Sequence, residues 1–344
     1  MGRSGKRKLS DPISIGALWR QWRDVLARLG FEGAALDARR LTAFALGLSD
    51  LEIATRESEA VDDAGAVRVA EALQRRLTGE SVARIIGKRE FYGLAFELNA
   101  ATLEPRPETE MLVDLAIAAV PAGGRLLDLG TGTGAIAVAV LVNRADVTAV
   151  VTDLSAEALA AARGNAARHG VGERIELRRG DWFSALDDEQ FSRSVSSPLR
   201  GEGQGEGFTV SARPGNLNPP HDPAGRPLPS GERWGFDLIV SNPPYITSAV
   251  VDTLDPEVRD FDPRLALDGG PDGVEPYRII VAEAYDWLRP GGQVMVEIGH
   301  DQGAAVSALF IEAGFADVAI HKDLAGLDRA VIGHHISAKR RTGR

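Results

Sequence analysis

A glycine-rich segment, Asp128-Leu129-Gly130-Thr131-Gly132-Thr133-Gly134, follows a short apolar run and precedes a helical pattern. Glycines at such a turn permit tight backbone conformations and let a ligand approach the N–H groups at the start of the next helix. The pattern fits NAD binding, S-adenosylmethionine binding and a plain glycine turn. The Asp128 carboxylate would repel a pyrophosphate and favour a cofactor with ammonium and sulfonium charges. Asp153, at the end of the next predicted strand, suits the ribose hydroxyls of either cofactor.

A second polar segment, Ser241-Asn242-Pro243-Pro244-Tyr245, directly follows another predicted strand. We therefore expect it at the same edge of a parallel sheet as the glycine loop. The Asn242 amide oxygen and the Pro243 carbonyl can accept the two hydrogens of an –NH2 group, while the Tyr245 ring can stack on a planar group. These residues predict a substrate with an amino or amide nitrogen on a planar group. Alone, Asn-Pro-Pro is also compatible with an ordinary turn.

The elements around these motifs alternate between strand and helix. Predicted strands lie at 125–129, 147–152, 174–177, 236–240 and 293–298, and predicted helices at 135–141, 155–168, 274–288 and 303–313. This alternation predicts an α/β fold with a mostly parallel, doubly wound sheet that binds ligands at the carboxyl ends of its strands. Two closing strands, 316–320 and 330–332, predict a hairpin at one edge of the sheet.

The amino-terminal region has a different pattern. Apolar residues recur at three- and four-residue steps within 18–29, 35–46 and 66–77. These stripes predict three short helices that bury one another's apolar faces. An aromatic stretch at 90–98, centred on Gly93, predicts a hairpin between this helical region and the sheet.

Composition narrows the classes of function. The 344 residues include no cysteine, which excludes disulfide scaffolds, thiolate metal sites and cysteine nucleophiles. The six histidines show no metal-ligand spacing, so we expect no metal. The net charge of −10, from 39 Lys and Arg against 49 Asp and Glu, disfavours binding nucleic acid mainly through phosphates. With neither a signal segment nor an apolar run of about 20 residues, a cytoplasmic protein is expected.

The two polar motifs together resemble the class I S-adenosylmethionine-dependent methyltransferases that modify planar amino or amide nitrogens. Three further segments are similar to signatures of the PrmC/HemK family: Gly87-Lys88-Arg89-Glu90-Phe91-Tyr92-Gly93-Leu94, Glu104-Pro105-Arg106-Pro107-Glu108-Thr109-Glu110 and Asp323-Leu324-Ala325-Gly326-Leu327-Asp328-Arg329. The resemblance implies a Rossmann-like sheet, a small helical amino-terminal domain and S-adenosylmethionine as cofactor. It also implies methylation of the glutamine side-chain nitrogen in the Gly-Gly-Gln motif of peptide chain release factors.

On this resemblance we expect three parts of the chain. They are a helical, substrate-binding domain at 1–83, a hairpin linker at 84–106 and a methyltransferase domain at 107–338. Segment 188–233 is rich in Gly, Pro and Ser and predicts a disordered insertion, with a functional lid as the alternative. A release factor is the expected partner of a monomeric protein that binds neither membranes nor, stably, nucleic acid.

The resemblance also implies roles for individual residues. The residues expected to bind the cofactor are Gly130, Thr131, Gly132, Thr133 and Gly134 around its methionine part, Asp153 at its ribose, Trp182 near its adenine, and Asn242. Those expected to bind the substrate are Asn242, Pro243, Pro244 and Tyr245, of which Asn242, Pro243 and Tyr245 act in catalysis. Arg106 and Glu110 either support the substrate cleft or form an ion pair that holds the linker, and core packing is the alternative for Trp182.

Other functions stay open on the sequence. A DNA or RNA amino-group methyltransferase, of the adenine N6 type, would use the same site on a flipped base. A nicotinamide-dependent dehydrogenase would use the glycine loop but leaves the segment 242–245 unexplained. A binding module with an inactive pocket would not need either motif.

Overall fold

The computed structural model describes residues 13–186 and 235–336. The predicted insertion at 188–233 lies outside the described residues. The chain divides into two compact units. One contains the residues up to Arg89 together with Glu97–Ala100 and Thr253–Asp262, and the other contains Glu90–Phe96, Ala101–Asp252 and the residues from Pro263 onward.

The first unit is built from helices. They are α1 (Ile15–Arg28), α2 (Ala34–Leu46), α3 (Asp50–Thr55), α4 (Asp63–Leu77) and α5 (Val82–Ile86). The structure adds α3 and α5 to the three helices that the apolar stripes predict, because helices of six and five residues are too short to show a helical period. Their caps carry the signal instead: Ser49 and Glu52 form a capping box before α3, and Ser81 caps α5.

Ion pairs join a late segment of the chain to these helices. The side chains of Arg84 and Asp262 are both buried, and Arg84 Nη2 lies 2.5 Å from Asp262 Oδ1. Arg76 lies 2.8 Å from Asp37 and 3.0 Å from Glu257. The segment Thr253–Asp262 therefore belongs to the helical unit, although it follows the Asn-Pro-Pro-Tyr motif in sequence.

A two-stranded hairpin lies where the sequence predicts one. Its strands are β1 (Lys88–Phe91) and β2 (Leu94–Glu97). Tyr92 and Gly93 connect them with φ angles of +54° and +71°, as a tight two-residue hairpin turn requires. Phe91 and Phe96 pack edge to face with their ring centroids 6.0 Å apart, and both are buried.

The second unit contains one sheet of seven strands within the described ranges. They are β3 (Arg125–Leu129), β4 (Thr148–Asp153), β5 (Ile175–Arg179), β6 (Phe236–Ser241), β7 (Leu288–Glu297), β8 (Ala316–Lys322) and β9 (Asp328–His334). Their order is β5-β4-β3-β6-β7-β9-β8, parallel from β5 to β7 and antiparallel at β9 and β8. This confirms the predicted doubly wound sheet and its edge hairpin. Strand β7 begins before the predicted 293 because Leu288 pairs with Phe236.

Helices cover both faces of this sheet. The remaining helices are α6 (Glu110–Ala119), α7 (Ala135–Asn143), α8 (Ala156–Arg168), α9 (Ser248–Val251), α10 (Pro256–Arg259, in the first unit), α11 (Glu275–Trp287) and α12 (Gly303–Glu312). Alternate strand residues such as Leu126 and Leu127 enter separate cores, one with α6, α7 and α8 and the other with α11 and α12.

The order of the strands creates a crevice. From β3 the chain adds β4 and β5 on one side and then returns to place β6 on the other side of β3. Such a reversal leaves a gap at the carboxyl ends of the two strands that flank it, where ligands bind in folds of this type. The crevice here therefore lies between the ends of β3 and β6. No helix in 13–186 or 235–336 combines the length and apolar character needed to cross a membrane.

Candidate active site

The glycine loop and the Asn-Pro-Pro-Tyr segment leave the sheet side by side. Leu129 at the end of β3 is the register partner of Ser241 at the end of β6. The Ser241 hydroxyl donates a buried hydrogen bond of 2.8 Å to the Leu129 carbonyl. The segments 130–134 and 242–245 therefore begin next to each other at the crevice, as the sequence predicts.

Three glycines give the loop after β3 its shape. Gly130, Gly132 and Gly134 have φ angles of +69°, +56° and +79°, which side chains with a Cβ atom rarely adopt. The N–H of Thr131 donates to the Thr152 carbonyl of β4 at 2.9 Å. The loop is thus held against the neighbouring strand while the start of α7 points toward the crevice.

Asp128 supports this loop from below. Its carboxyl group is 1% exposed and accepts a hydrogen bond of 2.7 Å from the Thr131 hydroxyl. Burial raises the pKa of Asp128 to about 7. Asp128 does not line the cavity. No contact therefore supports the expectation that its charge selects a cationic cofactor.

Asp153 ends β4 at the edge of the crevice. Its two carboxylate oxygens accept hydrogen bonds from the backbone N–H groups of Gly132 at 2.9 Å and Ser155 at 2.8 Å. Burial raises the pKa of Asp153, and these N–H groups act against that shift. The Leu154 N–H also hydrogen-bonds to this carboxylate. A carboxylate offers about four acceptor positions, so one position is left for a hydroxyl group of a ligand.

Trp182 follows β5 in a short 3-10 helix, Trp182–Leu186. Its backbone has a φ of +46°, a left-handed conformation that is rare for a large side chain. The ring lies against the glycine loop: a Cβ atom placed on Gly130 would be 3.4 Å from the Trp182 ring. Trp182 lines the cavity and also packs partly against the core with α11 and α12.

The crevice holds a cavity of about 510 Å³, within the range of about 300–1,000 Å³ that is usual for small-ligand sites. Of the predicted site residues, the cavity is lined by Gly130, Thr131, Gly132, Thr133, Asp153, Trp182, Asn242 and Pro244. The lining does not include Gly134, Pro243 or Tyr245. Gly134 instead caps α7 and packs against α8, where an added Cβ atom would be 3.1 Å from that of Ala162.

Asn242 lines the cavity beside two buried polar residues, Thr109 and Glu297. Its Nδ2 atom donates to the Thr109 hydroxyl oxygen at 3.1 Å. Glu297, the last residue of β7, is 2% exposed, and hydrogen bonds from the side chains of Thr109 and Asn242 reach its carboxyl group. Burial nevertheless raises the pKa of Glu297 to about 7. Asn242 is therefore held through its amide nitrogen, which leaves its amide oxygen unused by Thr109.

Tyr245 is fixed by its backbone. The Tyr245 carbonyl accepts a hydrogen bond of 3.0 Å from Gln302 Nε2. Gly269 and Gly273 pack so closely that a Cβ atom on either would come within 2.8 Å of the Pro244–Tyr245 backbone. Burial, followed by the negative charge of Glu297, raises the pKa of Tyr245 to about 12. Its phenol therefore keeps its proton near neutral pH and cannot act as a base.

Arg106 and Glu110 both belong to the second unit. Arg106 lines the cavity. Glu110, the first residue of α6, accepts a hydrogen bond of 2.8 Å from the Tyr92 N–H in the hairpin turn. Of the two proposed roles, the position of Arg106 fits the substrate cleft and that of Glu110 fits support of the hairpin.

Comparisons with known proteins agree with this geometry. Residues 17–87 match the family model described as the PrmC N-terminal domain, and residues 107–212 match the methyltransferase small domain. Release factor glutamine methyltransferase of Agrobacterium fabrum is 39% identical over 312 residues, which are 89% of this chain and 92% of that protein. The protein of the same name from Caulobacter vibrioides is 37% identical over 93% of this chain and 96% of its own length. The chain belongs to the release factor glutamine methyltransferase family.

The comparison with solved structures gives weaker likenesses. One is the protein-(glutamine-N5) methyltransferase (release factor-specific) of Alicyclobacillus acidocaldarius, at 26% identity and a TM-score of 0.35, with 68% of this chain and 94% of that chain covered. The assignment to the methyltransferase family rests on the sequence relatives.

The cavity of this methyltransferase fits S-adenosylmethionine, its methyl donor. Asp153 has an acceptor position for a ribose hydroxyl, and the N–H groups of the glycine loop lie beside it. An added Cβ atom on Gly132 would meet nothing within 4 Å, so the loop borders open space. The ring of Trp182 offers a flat apolar surface at the same cavity. These residues can hold the ribose, the amino-acid part and the adenine.

Residues that the sequence motifs did not single out also shape the methyltransferase site. Thr109 and Glu297 contact Asn242 from other elements, and Gly269 packs on the segment after it. One signal was present for Glu297: it is an acidic residue inside the apolar run Val294-Met295-Val296-Glu297-Ile298. A buried acid in such a run is rarely retained without a polar partner. For Thr109, no local pattern distinguishes it from a helix-capping residue.

Proposed function

We propose that this chain transfers a methyl group from S-adenosylmethionine to the side-chain nitrogen of the glutamine in the Gly-Gly-Gln motif of peptide chain release factors. Asn242 carries the proposal, because it brings an amide oxygen to a cavity that also contains the glycine loop and Asp153. The identity of 37–39% to release factor glutamine methyltransferases over about nine-tenths of the chain supports the same substrate.

In this proposal, the Asn-Pro-Pro-Tyr segment binds the glutamine amide. The Asn242 amide oxygen and the Pro243 carbonyl accept its two hydrogens, and Tyr245 packs on the planar group. Thr109 holds the Asn242 side chain and Gln302 holds the Tyr245 backbone, so the segment that carries both side chains is ordered before the substrate arrives. Fixing the nitrogen in line with the methyl group is the main contribution expected of these residues.

The chemistry makes few demands on the protein beyond position and polarity. An amide nitrogen is a weak nucleophile because its lone pair is delocalised into the carbonyl. When bound, S-adenosylmethionine supplies an electrophilic methyl group on a sulfonium. Acceptors at Asn242 and Pro243 favour the positive charge that develops on the N–H group as the new N–C bond forms and the bond from the methyl carbon to sulfur breaks, which leaves S-adenosylhomocysteine. The nitrogen then loses a proton to water, which restores the neutral amide.

Methyl transfer from labelled S-adenosylmethionine to a purified release factor tests this function. Label should enter the wild-type factor but not the same factor with Gln→Ala in its Gly-Gly-Gln motif. Equal labelling of both factors would show that the methyl group is transferred to a side chain other than this glutamine. Labelling of RNA or DNA, with neither factor labelled, would favour the amino-group methyltransferase of nucleic acids.

The proposed function has consequences for the location of the reaction, the roles of the two units and the oligomeric state. A release factor acts at the ribosome, so this substrate places the reaction in the cytoplasm. We retain the helical unit as the part that recognises the factor, the hairpin as a linker, and a monomer without stable nucleic-acid binding as the working form. Light scattering of the protein alone tests the monomer, and a gel-shift titration with RNA or DNA tests the absence of stable nucleic-acid binding.

A further inference from the structure

Three polar side chains at one wall of the cavity form a network with a direction: Thr109 and Asn242 line the cavity, and Glu297 does not. Ser241 and Val296 are register partners in parallel strands, so the next residues, Asn242 and Glu297, leave those strands side by side. The Asn242 amide nitrogen lies 3.1 Å from the Thr109 hydroxyl oxygen, and the side chains of Thr109 and Asn242 both hydrogen-bond to the Glu297 carboxyl group. We call Thr109, Asn242 and Glu297 the Glu297 network.

The Glu297 oxygen that the other two side chains reach sets the direction of the bonds in the Glu297 network. Oε2 has no partner among the described residues, so both bonds reach Oε1, which accepts hydrogen bonds whether the carboxyl group is ionised or carries its proton on Oε2. The Thr109 hydroxyl must therefore donate its one hydrogen to Glu297. The Thr109 oxygen is then left as an acceptor, and it receives a hydrogen from the Asn242 nitrogen. The –NH2 side of the Asn242 amide therefore faces the network. Its oxygen is turned the other way, toward the ligand.

Glu297 acts from behind Asn242 and does not itself reach the ligand. It is 2% exposed and is absent from the residues that line the described cavity. Its Oε2 atom has no hydrogen-bond partner among the described residues. Arg329 attracts its negative charge, while Glu108 repels it. Keeping a carboxyl group at such a position costs folding energy, which points to a role that an apolar residue could not perform.

We propose that Glu297 is a positioning residue that holds the Asn242 amide with its oxygen toward the substrate, and so selects a substrate group that donates N–H over one that only accepts. The inference rests on the proposed function, because the selected group is the glutamine amide. It assigns the choice between glutamine and glutamate at the methylated position to a residue outside the cavity. If Asn242 presented its –NH2 group instead, a carboxylate would be the better ligand.

The change Glu297→Gln tests the inference because it keeps the size of the side chain but adds a donor. The new amide can donate to Thr109, whose hydroxyl can then donate to the Asn242 oxygen and reverse that amide. The readout is the ratio of dissociation constants for two release factors that differ only in Gly-Gly-Gln against Gly-Gly-Glu. Both are measured with the full-length enzyme in the presence of S-adenosylhomocysteine. We expect the preference for glutamine to fall at least tenfold, about 1.4 kcal/mol, and kcat to fall with it.

Two variants of Thr109 and one exposed control complete the experiment. Thr109→Val removes the hydroxyl at similar size and should also lower the preference, which keeps the test valid if Glu297→Gln fails to fold. Thr109→Ser keeps the hydroxyl and should keep the preference. Glu312→Gln makes the same chemical change at an exposed position at the end of α12 and should leave the preference unchanged.

The possible results separate this inference from the proposed function. If the wild-type enzyme prefers glutamine and both Glu297→Gln and Thr109→Val lose that preference, the inference stands. If both variants weaken the binding of the two release factors equally, the ratio of dissociation constants is unchanged. The Glu297 network is then only structural and the inference is wrong. If the wild-type enzyme neither binds nor methylates the Gly-Gly-Gln factor, the proposed function fails first.

Discussion

The Gly132 N–H group donates a hydrogen bond of 2.9 Å to the Asp153 carboxylate, and this contact joins the loop after β3 to the end of β4. The acid that is proposed to hold the ribose therefore also fixes the loop proposed to hold the amino-acid part of the cofactor. A second N–H group, that of Ser155, occupies the other carboxylate oxygen at 2.8 Å. One side chain thus organises two parts of the cofactor site, and its loss should affect both.

The change Asp153→Asn should weaken cofactor binding strongly. An asparagine keeps one acceptor oxygen but turns the other into an –NH2 group, which cannot accept the second N–H bond or a ribose hydroxyl. Losing hydrogen bonds to a charged group is worth about 1.5–3 kcal/mol, so the dissociation constant of S-adenosylhomocysteine should rise about 10- to 100-fold by calorimetry.

Asp146 provides a matched control for Asp153. It also accepts a glycine N–H, that of Gly123 at 2.9 Å, but it lies before β4 and not after it. Asp146→Asn should therefore leave the dissociation constant of S-adenosylhomocysteine unchanged. Equal weakening by both changes would mean that Asp153 acts only through the stability of the sheet.

Local signals explain why much of this site could be predicted from the sequence. The glycine loop, Asp153 and Asn242 each lie at or directly after the end of a strand. A strand with flanking glycines or prolines can be recognised from a few neighbouring residues. In a parallel sheet the carboxyl ends of the strands share one edge, so these local predictions also bring the residues together.

Contacts across long stretches of sequence explain what could not be predicted. Thr109 and Asn242 are 133 residues apart and meet only because α6 and β6 pack near each other. The inclusion of Thr253–Asp262 in the helical unit depends on ion pairs such as Arg84–Asp262, which no periodic pattern reveals. The burial of Asp128 away from the cavity likewise follows from the packing around β3, not from its place next to the glycines.

Asn242→Ala should lower the rate of methyl transfer far more than it weakens cofactor binding. The change removes the acceptor for the substrate amide and leaves the glycine loop and Asp153 intact, so kcat should fall about 100-fold or more while the dissociation constant of S-adenosylhomocysteine changes by less than about threefold. Single-turnover transfer and calorimetry measure the two quantities. Asn143→Ala, at the end of α7, is the control; equal losses of rate and affinity in Asn242→Ala would contradict the catalytic role.

Trp182 should report cofactor binding through its fluorescence. Its ring lines the cavity and lies against Gly130, so adenine stacked there would change its emission. Titration with S-adenosylhomocysteine should change the emission of the wild-type protein, and Trp182→Phe should lose most of that change. Trp22→Phe, in the helical unit, should keep it. A full response in Trp182→Phe would favour the alternative that this residue only packs the core.

Removal of Ser192–Ser230 tests the prediction of an insertion, which rests on its Gly-, Pro- and Ser-rich sequence. The deleted protein should be recovered in soluble form and should methylate the release factor within about threefold of the wild-type rate. Circular dichroism and single-turnover transfer measure the two properties. A folded but inactive protein would favour the functional lid, and an insoluble one would show that the segment is needed for the fold.

Asp128 should make the protein less stable as the pH rises. Its pKa is about 7 in the folded state, against about 3.9 for an exposed aspartate. Between these values the unfolded chain loses the proton while the folded chain keeps it, so stability is fully present below about pH 4 and is lost as the pH rises through 7. Asp128→Asn keeps an acceptor for Thr131 and does not titrate. Urea unfolding at pH 4.5, 6 and 8 measures the free energy of unfolding. Over this range that of the wild-type protein should fall by up to about 4 kcal/mol relative to that of Asp128→Asn.

The opposite slope should be found for Asp146. The Arg144 guanidinium and the Gly123 N–H hold the pKa of Asp146 below its usual value. That pair stabilises the fold above the pKa of an exposed aspartate, and the stabilisation is lost as the pH falls. The free energy of unfolding of the wild-type protein should therefore increase relative to that of Asp146→Asn as the pH rises from acid toward neutral. Parallel pH profiles for Asp128→Asn and the wild-type protein would contradict a neutral, buried Asp128. Opposite slopes for the two variants would assign the pH dependence to burial in one case and to pairing in the other.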